Sequence, residues 1–276
     1  MKKLIVLLPL LIASATAQTA PAPAAQQPSK QALEQTIANQ DPSALKAKQL
    51  IQQMIHALGG QAYLTYSTMT QEGRTYTFFQ GQPNGLGTQF WRFWEYPDKD
   101  RVELTKQRDV IYLYVGDKGY EITYKGTAAM DATPLKDYLR RRRHTLDIVL
   151  REWLKDPKTI YFYDGPGVAE QKMVDKVTVL NGNNDSATIG IDPISHLPVQ
   201  LSFSYRDFDR LKSEEAEIFG NWHNIDGIMT PYAIVRKKNG EYIGQRFLVD
   251  VKYNMSLASS LFTAKVTYNP KTYRGK

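Results

Sequence analysis

The feature that most restricts the fold of this chain is the spacing between its apolar segments. From residue 66 to residue 124 apolar side chains recur at every second position. Tyr76 and Phe78 alternate with Thr75 and Thr77, and Val102 and Leu104 alternate with Arg101, Glu103 and Thr105. Residues 89–96, 110–115 and 120–124 read as further strands on the same rule. The separators are Pro83-Asn84-Gly85, Pro97-Asp98 and Gly116-Asp117-Lys118-Gly119, which carry turn chemistry. A parallel crossover needs about a dozen residues, so strands joined this closely are antiparallel neighbours. The same pattern returns at 160–163, 176–180, 187–191, 199–205, 216–222, 229–237 and 242–253, with Asn181-Gly182 and Asn239-Gly240 as hairpin markers. In the last of these, Gln245, Phe247, Val249, Val251 and Tyr253 alternate with Arg246, Asp250 and Lys252, which predicts one wet face. The segment 90–96 places aromatic rings on both faces and is expected to be central and covered twice.

Only two segments carry a helical period. Asp41-Pro42 supplies an N-cap and a first-turn proline, and Ala47, Leu50, Ile51, Met54, Ile55 and Leu58 form one stripe that Gly59-Gly60 ends. A second helix is predicted over 134–154, where Leu135, Leu139, Leu146, Leu150 and Trp153 share a face and Asp156-Pro157 stops it. Two helices cannot cover both faces of a sheet of roughly a dozen strands. The expected fold is therefore mainly β (α+β): a strongly curved antiparallel sheet forming an incomplete β-barrel, with the two helices covering its concave side. Residues 41–276 are read as a single domain.

The first 40 residues are expected to stand apart from that domain. Lys2 and Lys3, the apolar run 4–13 and Ala15-Thr16-Ala17 have the form of a cleavable secretory signal peptide over 1–17. Residues 18–40 are rich in Ala, Pro and Gln and read as a flexible tether. Export of this kind implies a periplasmic location. The chain has no cysteine among its 276 residues, which excludes a disulfide framework, thiol catalysis and the cysteine that a lipid anchor requires.

Several segments together resemble the LolA-like superfamily, the periplasmic outer-membrane lipoprotein carriers and lipoprotein-sorting proteins. They are Ala57-Leu58-Gly59-Gly60, Tyr96-Pro97-Asp98-Lys99-Asp100-Arg101, Gly116-Asp117-Lys118-Gly119-Tyr120-Glu121-Ile122, Ile191-Asp192-Pro193 with Leu197-Pro198, Phe219-Gly220-Asn221-Trp222, Ile225-Asp226-Gly227-Ile228 with Pro231, and Tyr253-Asn254 with Leu261-Phe262. The resemblance spans about residues 43 to 263 and marks the chain as a divergent member. It implies an incomplete barrel with helices as a lid over an apolar cavity for acyl chains. Those carriers place an arginine before the proline corresponding to Pro97, where this chain has Tyr96, so their lid latch does not carry over.

The inventory for chemistry is thin. His56, His144, His196 and His223 contain no pair at helical metal-site spacing, and no nucleophile elbow or phosphate-binding glycine loop occurs. No enzyme activity, metal or cofactor is expected. The carboxylates Glu214, Glu215 and Glu217 read as a solvated strand edge. Tyr76, Phe78, Phe90, Trp91, Phe93, Trp94, Tyr112 and Tyr114 offer more ring surface than one face needs, and they are either core packing or the wall of an acyl-chain cavity. Burying an alkyl chain yields about 0.8 kcal/mol per CH₂, so such a site needs few polar markers. Arg140, Arg141 and Arg143 form either a solvated helix face or a contact for lipid headgroups or a membrane. The expected partner is a lipid or the acyl chain of a lipoprotein, with envelope membrane proteins as further candidates and no nucleic acid. The alternative is a non-enzymatic interaction module acting beside a peptidase-like protein of the envelope.

Overall fold

A computed structural model describes residues 41–272; the expected signal peptide and tether lie outside the described residues. Helix α1 (Pro42–Leu58) begins where its sequence signals require. Asp41 accepts a hydrogen bond from the Ser43 N–H at 2.7 Å, and the helix stops at Gly59, whose φ of +122° a side chain would oppose. A short α2 (Gln61–Thr65) leads into β1 (Thr68–Phe79), the two-residue β2 (Gln82–Pro83), β3 (Thr88–Glu95), β4 (Lys99–Leu104), β5 (Val110–Val115), β6 (Lys118–Thr123) and β7 (Gly126–Ala129). Helices α3 (Ala132–Arg143) and α4 (Leu146–Arg151) and a 3₁₀ turn (Trp153–Lys155) follow. The chain then returns through β8 (Ile160–Ala169), β9 (Lys172–Leu180), β10 (Ser186–Ile191), β11 (Pro198–Arg206), β12 (Lys212–Ile225), β13 (Ile228–Lys238) and β14 (Glu241–Tyr253).

All the strands join one curved antiparallel sheet in the order β7-β6-β5-β4-β3-β1-β14-β13-β12-β11-β10-β9-β8, with β2 paired to β1. Apart from the β1–β14 pairing that joins its two halves, each strand on this path lies beside its neighbour in sequence, as the short turns dictate. The ends, β7 and β8, do not pair, so the sheet is an open half-barrel.

The helices lie on its concave side, and they fill it unevenly. Helix α1 packs across β8, β9 and β13. Ala47, Leu50, Ile51, Met54 and Leu58 on α1 are at most 3% exposed and belong to one core with Val177, Val179, Ile189, Ile191 and Leu201 of β9–β11. That half of the hollow is solid. On the opposite face the segment after β14 covers β4 and β5: Arg101 donates to the Leu261 carbonyl at 3.1 Å, and Leu113 is fully buried.

Two local departures from the sequence pattern matter for function. The predicted helix 134–154 breaks at His144-Thr145, where Thr145 takes extended backbone angles (φ −66°, ψ 152°) and its hydroxyl donates to the Arg142 carbonyl at 3.0 Å. His144 ends α3 with Nδ1 2.8 Å from the Arg140 carbonyl and its ring stacked on Phe203. A gap of five residues, Arg140 to His144, separates Leu139 from Thr145. No apolar residue there holds the stripe to the sheet across the break.

The second departure is a β-bulge between β1 and β14. Glu72 pairs with Asp250 and Gly73 with Leu248, so Val249 is left without a partner on β1. A one-residue bulge reverses which side chains face inward beyond it. Val251 is buried and Tyr253 half-buried, whereas Val249 and Phe247 are exposed and Arg246 turns into the concave side. The wet face expected of this strand is thus correct only for Asp250 and Lys252 and is inverted at Arg246.

Candidate functional site

Beyond the end of α1, which touches it only through Leu58, the concave side holds a cavity of about 320 Å³. For scale, an engineered cavity of about 150 Å³ accepts benzene. Its walls come from β1 and β3–β5 on one side and β12–β14 on the other, and α2, α3 and α4 cover it. One end is aromatic and aliphatic: Tyr63, Tyr66, Trp94, Trp222, Met229 and Tyr253. Tyr66 stands against the rings of Trp94 and Tyr253, with centroids at 5.5 and 4.8 Å.

Within the cover α4 is packed into the core, whereas α3, none of whose residues is buried, is held by polar contacts. Asp100, 3% exposed on β4, accepts two hydrogen bonds from Arg92 of β3, at 2.8 and 3.0 Å, and one from the Tyr138 hydroxyl of α3 at 2.9 Å. The Tyr138 ring lies flat on Tyr114. Burial opposes the charge of Arg92, but Asp100 outweighs it and raises the guanidinium above its ordinary range. Arg142 donates to the Gly116 carbonyl at 2.7 Å, tying α3 to the β5–β6 turn. On α4, Asp147 accepts from the Tyr66 hydroxyl. Arg151, 4% exposed, lies 3.9 Å over the Tyr96 ring, and its Nε and Nη1 have no hydrogen-bond partner. Tyr96 thus lies under a guanidinium that the cover supplies.

The other end of the cavity is cationic. Arg236 of β13 and Arg246 of β14 point inward, joined by Arg141 of α3. Glu217 sits opposite Arg236 in the β12–β13 register and lies 3.8 Å from Arg246. Arg236 has no ion pair within 4 Å among the described residues. Burial lowers both guanidiniums. Arg246 is brought down to about 10, with Glu217 opposing and Arg92 and Arg236 adding to the fall; for Arg236, burial and then Arg141 lower it.

The expected site residues divide by strand parity. Trp94, Tyr112 and Tyr114 line the cavity. Phe90 shares their face but is packed in the core at 2% exposure. Tyr76, Phe78, Trp91 and Phe93 fall on the outer face: Tyr76 meets Phe247, Phe78 meets Tyr242, and Trp91 lies under Arg108 at 4.0 Å. Having rings on both faces made the set longer than one wall can use. The arginines divide as well. Arg140 is committed to Glu215 and Asp137, both at 2.9 Å, Arg141 enters the cavity, and Arg143 is exposed on the other side of α3. Glu215 corrects the expectation of a solvated edge, since β12 lies between β11 and β13 and Glu215 is 5% exposed against Arg140. Arg92, Arg236 and Arg246 were not expected in the site. Arg92 was legible, because it shares parity with Phe90 and Trp94.

No group of three or more acidic or histidine side chains able to hold a metal occurs among the described residues. Among them, no helix is long and apolar enough to cross a membrane.

No family model and no curated protein matches this sequence. Solved structures do match it. A DUF1329 family protein from Desulfovibrio piger superposes with a TM-score of 0.56 at 11% identity, covering 79% of this chain and 97% of that one. A domain named as an outer membrane lipoprotein-sorting protein, from Vibrio parahaemolyticus, gives 0.52 at 8% identity, covering 78% and 97%. A LolA superfamily protein from Nitrosomonas europaea gives 0.49 at 10% identity, covering 79% and 97%. The first two likenesses establish a common fold, the open helix-covered sheet.

Proposed function

We propose that this protein is a periplasmic carrier that buries an acyl chain of a lipid or lipoprotein in the covered cavity and releases it by moving the cover, without bond chemistry. The observation that carries the reading is the cavity itself: part of the concave side is packed solid by α1, while the rest encloses a cavity beneath α3, a helix with no buried residue, and the well-packed α4. A core that served stability alone would be filled to the density of other protein interiors. The shared fold with a lipoprotein-sorting domain supports the same reading.

The test is displacement of a fluorescent fatty acid from the purified protein, with native mass spectrometry for lipid carried through purification. Met229→Trp, which puts a larger ring into the aromatic end, is expected to abolish binding while leaving the fold intact by circular dichroism. Failure of the wild-type protein to bind any alkyl probe refutes the proposal.

A further inference from the structure

We propose that the corner formed by Arg141, Arg236 and Arg246 seats the acidic headgroup of the ligand, so that the cavity selects anionic single-chain amphiphiles over neutral or cationic ones. The inference rests on the carrier reading and assigns its ligand class. The corner brings four guanidiniums, those of Arg140, Arg141, Arg236 and Arg246, against three carboxylates, Asp137, Glu215 and Glu217. Glu215 bonds Arg140 and lies 3.9 Å from Arg141, and the more exposed Asp137 also pairs with Arg140, which leaves Glu217 as the carboxylate facing both Arg236 and Arg246. Nearby, Arg92 is neutralised by Asp100, and Tyr114 adds a hydroxyl from β5. A partly buried excess of positive charge is unfavourable unless something anionic completes it. Guanidinium forks match carboxylate and phosphate oxygens in geometry.

The corner also lies at the right place for a headgroup. Along β13, Thr230 lines the aromatic end and Arg236 the cationic end. The step of six positions from one to the other spans about 20 Å of strand. A ligand with its alkyl tail among Tyr66, Trp94 and Met229 would bring a terminal acid to the arginines. Arg143, exposed beyond α3, takes no part.

The experiment measures the affinities of dodecanoate, dodecyl phosphate, dodecanol and dodecyltrimethylammonium for the wild-type protein and for Arg236→Gln, Arg246→Gln, the double variant and the control Arg143→Gln. Each charge-assisted contact is worth about tenfold in affinity. The acids are expected to bind at least about tenfold tighter than the alcohol and the cation weakest. The double variant should lose the acid preference while its dodecanol affinity stays unchanged, and Arg143→Gln should behave as wild type. Because the substitutions relieve like-charge crowding, thermal unfolding is expected at the wild-type temperature or above. The ratio of phosphate to carboxylate affinity separates a phospholipid-like from a fatty-acid-like ligand. Equal affinity for acid and alcohol, or an acid preference that survives the double variant, overturns the inference and leaves the carrier reading standing. Absence of binding by all four probes overturns both.

Discussion

Asp100 gives the sharpest test of how the cover is attached. Its carboxylate accepts two hydrogen bonds from Arg92 and one from Tyr138, all between 2.8 and 3.0 Å, at 3% exposure. Asp100→Asn keeps the shape, but its amide nitrogen cannot accept, so at least one charge-assisted bond is lost and the Arg92 charge is left uncompensated. Hydrogen bonds to charged groups are worth about 1.5–3 kcal/mol each, and breaking one side of a buried ion pair costs about 3–5 kcal/mol. The expected loss is about 3 kcal/mol for Asp100→Asn and about 5 kcal/mol for Asp100→Ala. Urea unfolding measures it as a lower midpoint at unchanged slope. The double variant Arg92→Met/Asp100→Leu, which removes both charges, is expected to recover to within about 2 kcal/mol of wild type. Because Tyr138 loses its acceptor, amide exchange should also quicken in α3 while α1 stays protected. A loss below about 1 kcal/mol for Asp100→Ala would refute the reasoning, since it would mean that the pair is effectively solvated.

Other expectations follow from single features. Burial first, and Arg140 and Arg143 after it, hold the His144 imidazole below its usual range, with the Arg140 carbonyl and Asp185 opposing. The folded state therefore binds fewer protons than the unfolded one near pH 6, and stability should fall as pH drops below about 6.5. His144→Gln should flatten that slope between pH 7 and 5 in urea titrations. Asp192 is held below the usual carboxylate range, chiefly by the Ser195 N–H, so the deficit of Asp192→Asn relative to wild type should be present at neutral pH and vanish as the solution is acidified below the carboxylate range. A Cβ at Gly59 would stand 2.3 Å from the Gly227 carbonyl oxygen at a φ of +122°, and Gly59→Ala should cost at least about 2 kcal/mol by thermal or urea unfolding. Met54→Ala, in the filled half, should cost about 2–5 kcal/mol and leave probe binding unchanged.

Helix α1 was readable to the residue because its cap, stripe and terminal glycines are all local. The hairpins were readable for the same reason: Asn181-Gly182 and Asn239-Gly240 mark turns that the structure places between β9 and β10 and between β13 and β14. The curvature and the helix-covered side followed from counting two helices against roughly a dozen strands. The cationic corner was not readable, because its signal is a register shift. Nothing local announces that Val249 is unpaired, and without that bulge Arg246 belongs to the wet face. Glu215 was misread for a related reason, since strand order decides whether a carboxylate meets water or Arg140, and order depends on pairings between distant segments. The break at His144 and Thr145 hid behind helix-forming arginines that go to separate partners: Glu215, the cavity and the Gly116 carbonyl.

That β7 and β8 do not pair with each other has a mechanical consequence. In a closed barrel, strand number and stagger fix the diameter. Here no ladder spans the seam, so the two flanks can spread or draw together by changing twist alone, with every backbone hydrogen bond kept. The width of the cavity between the flanks is then set by how far they splay, and it can change without any strand being broken.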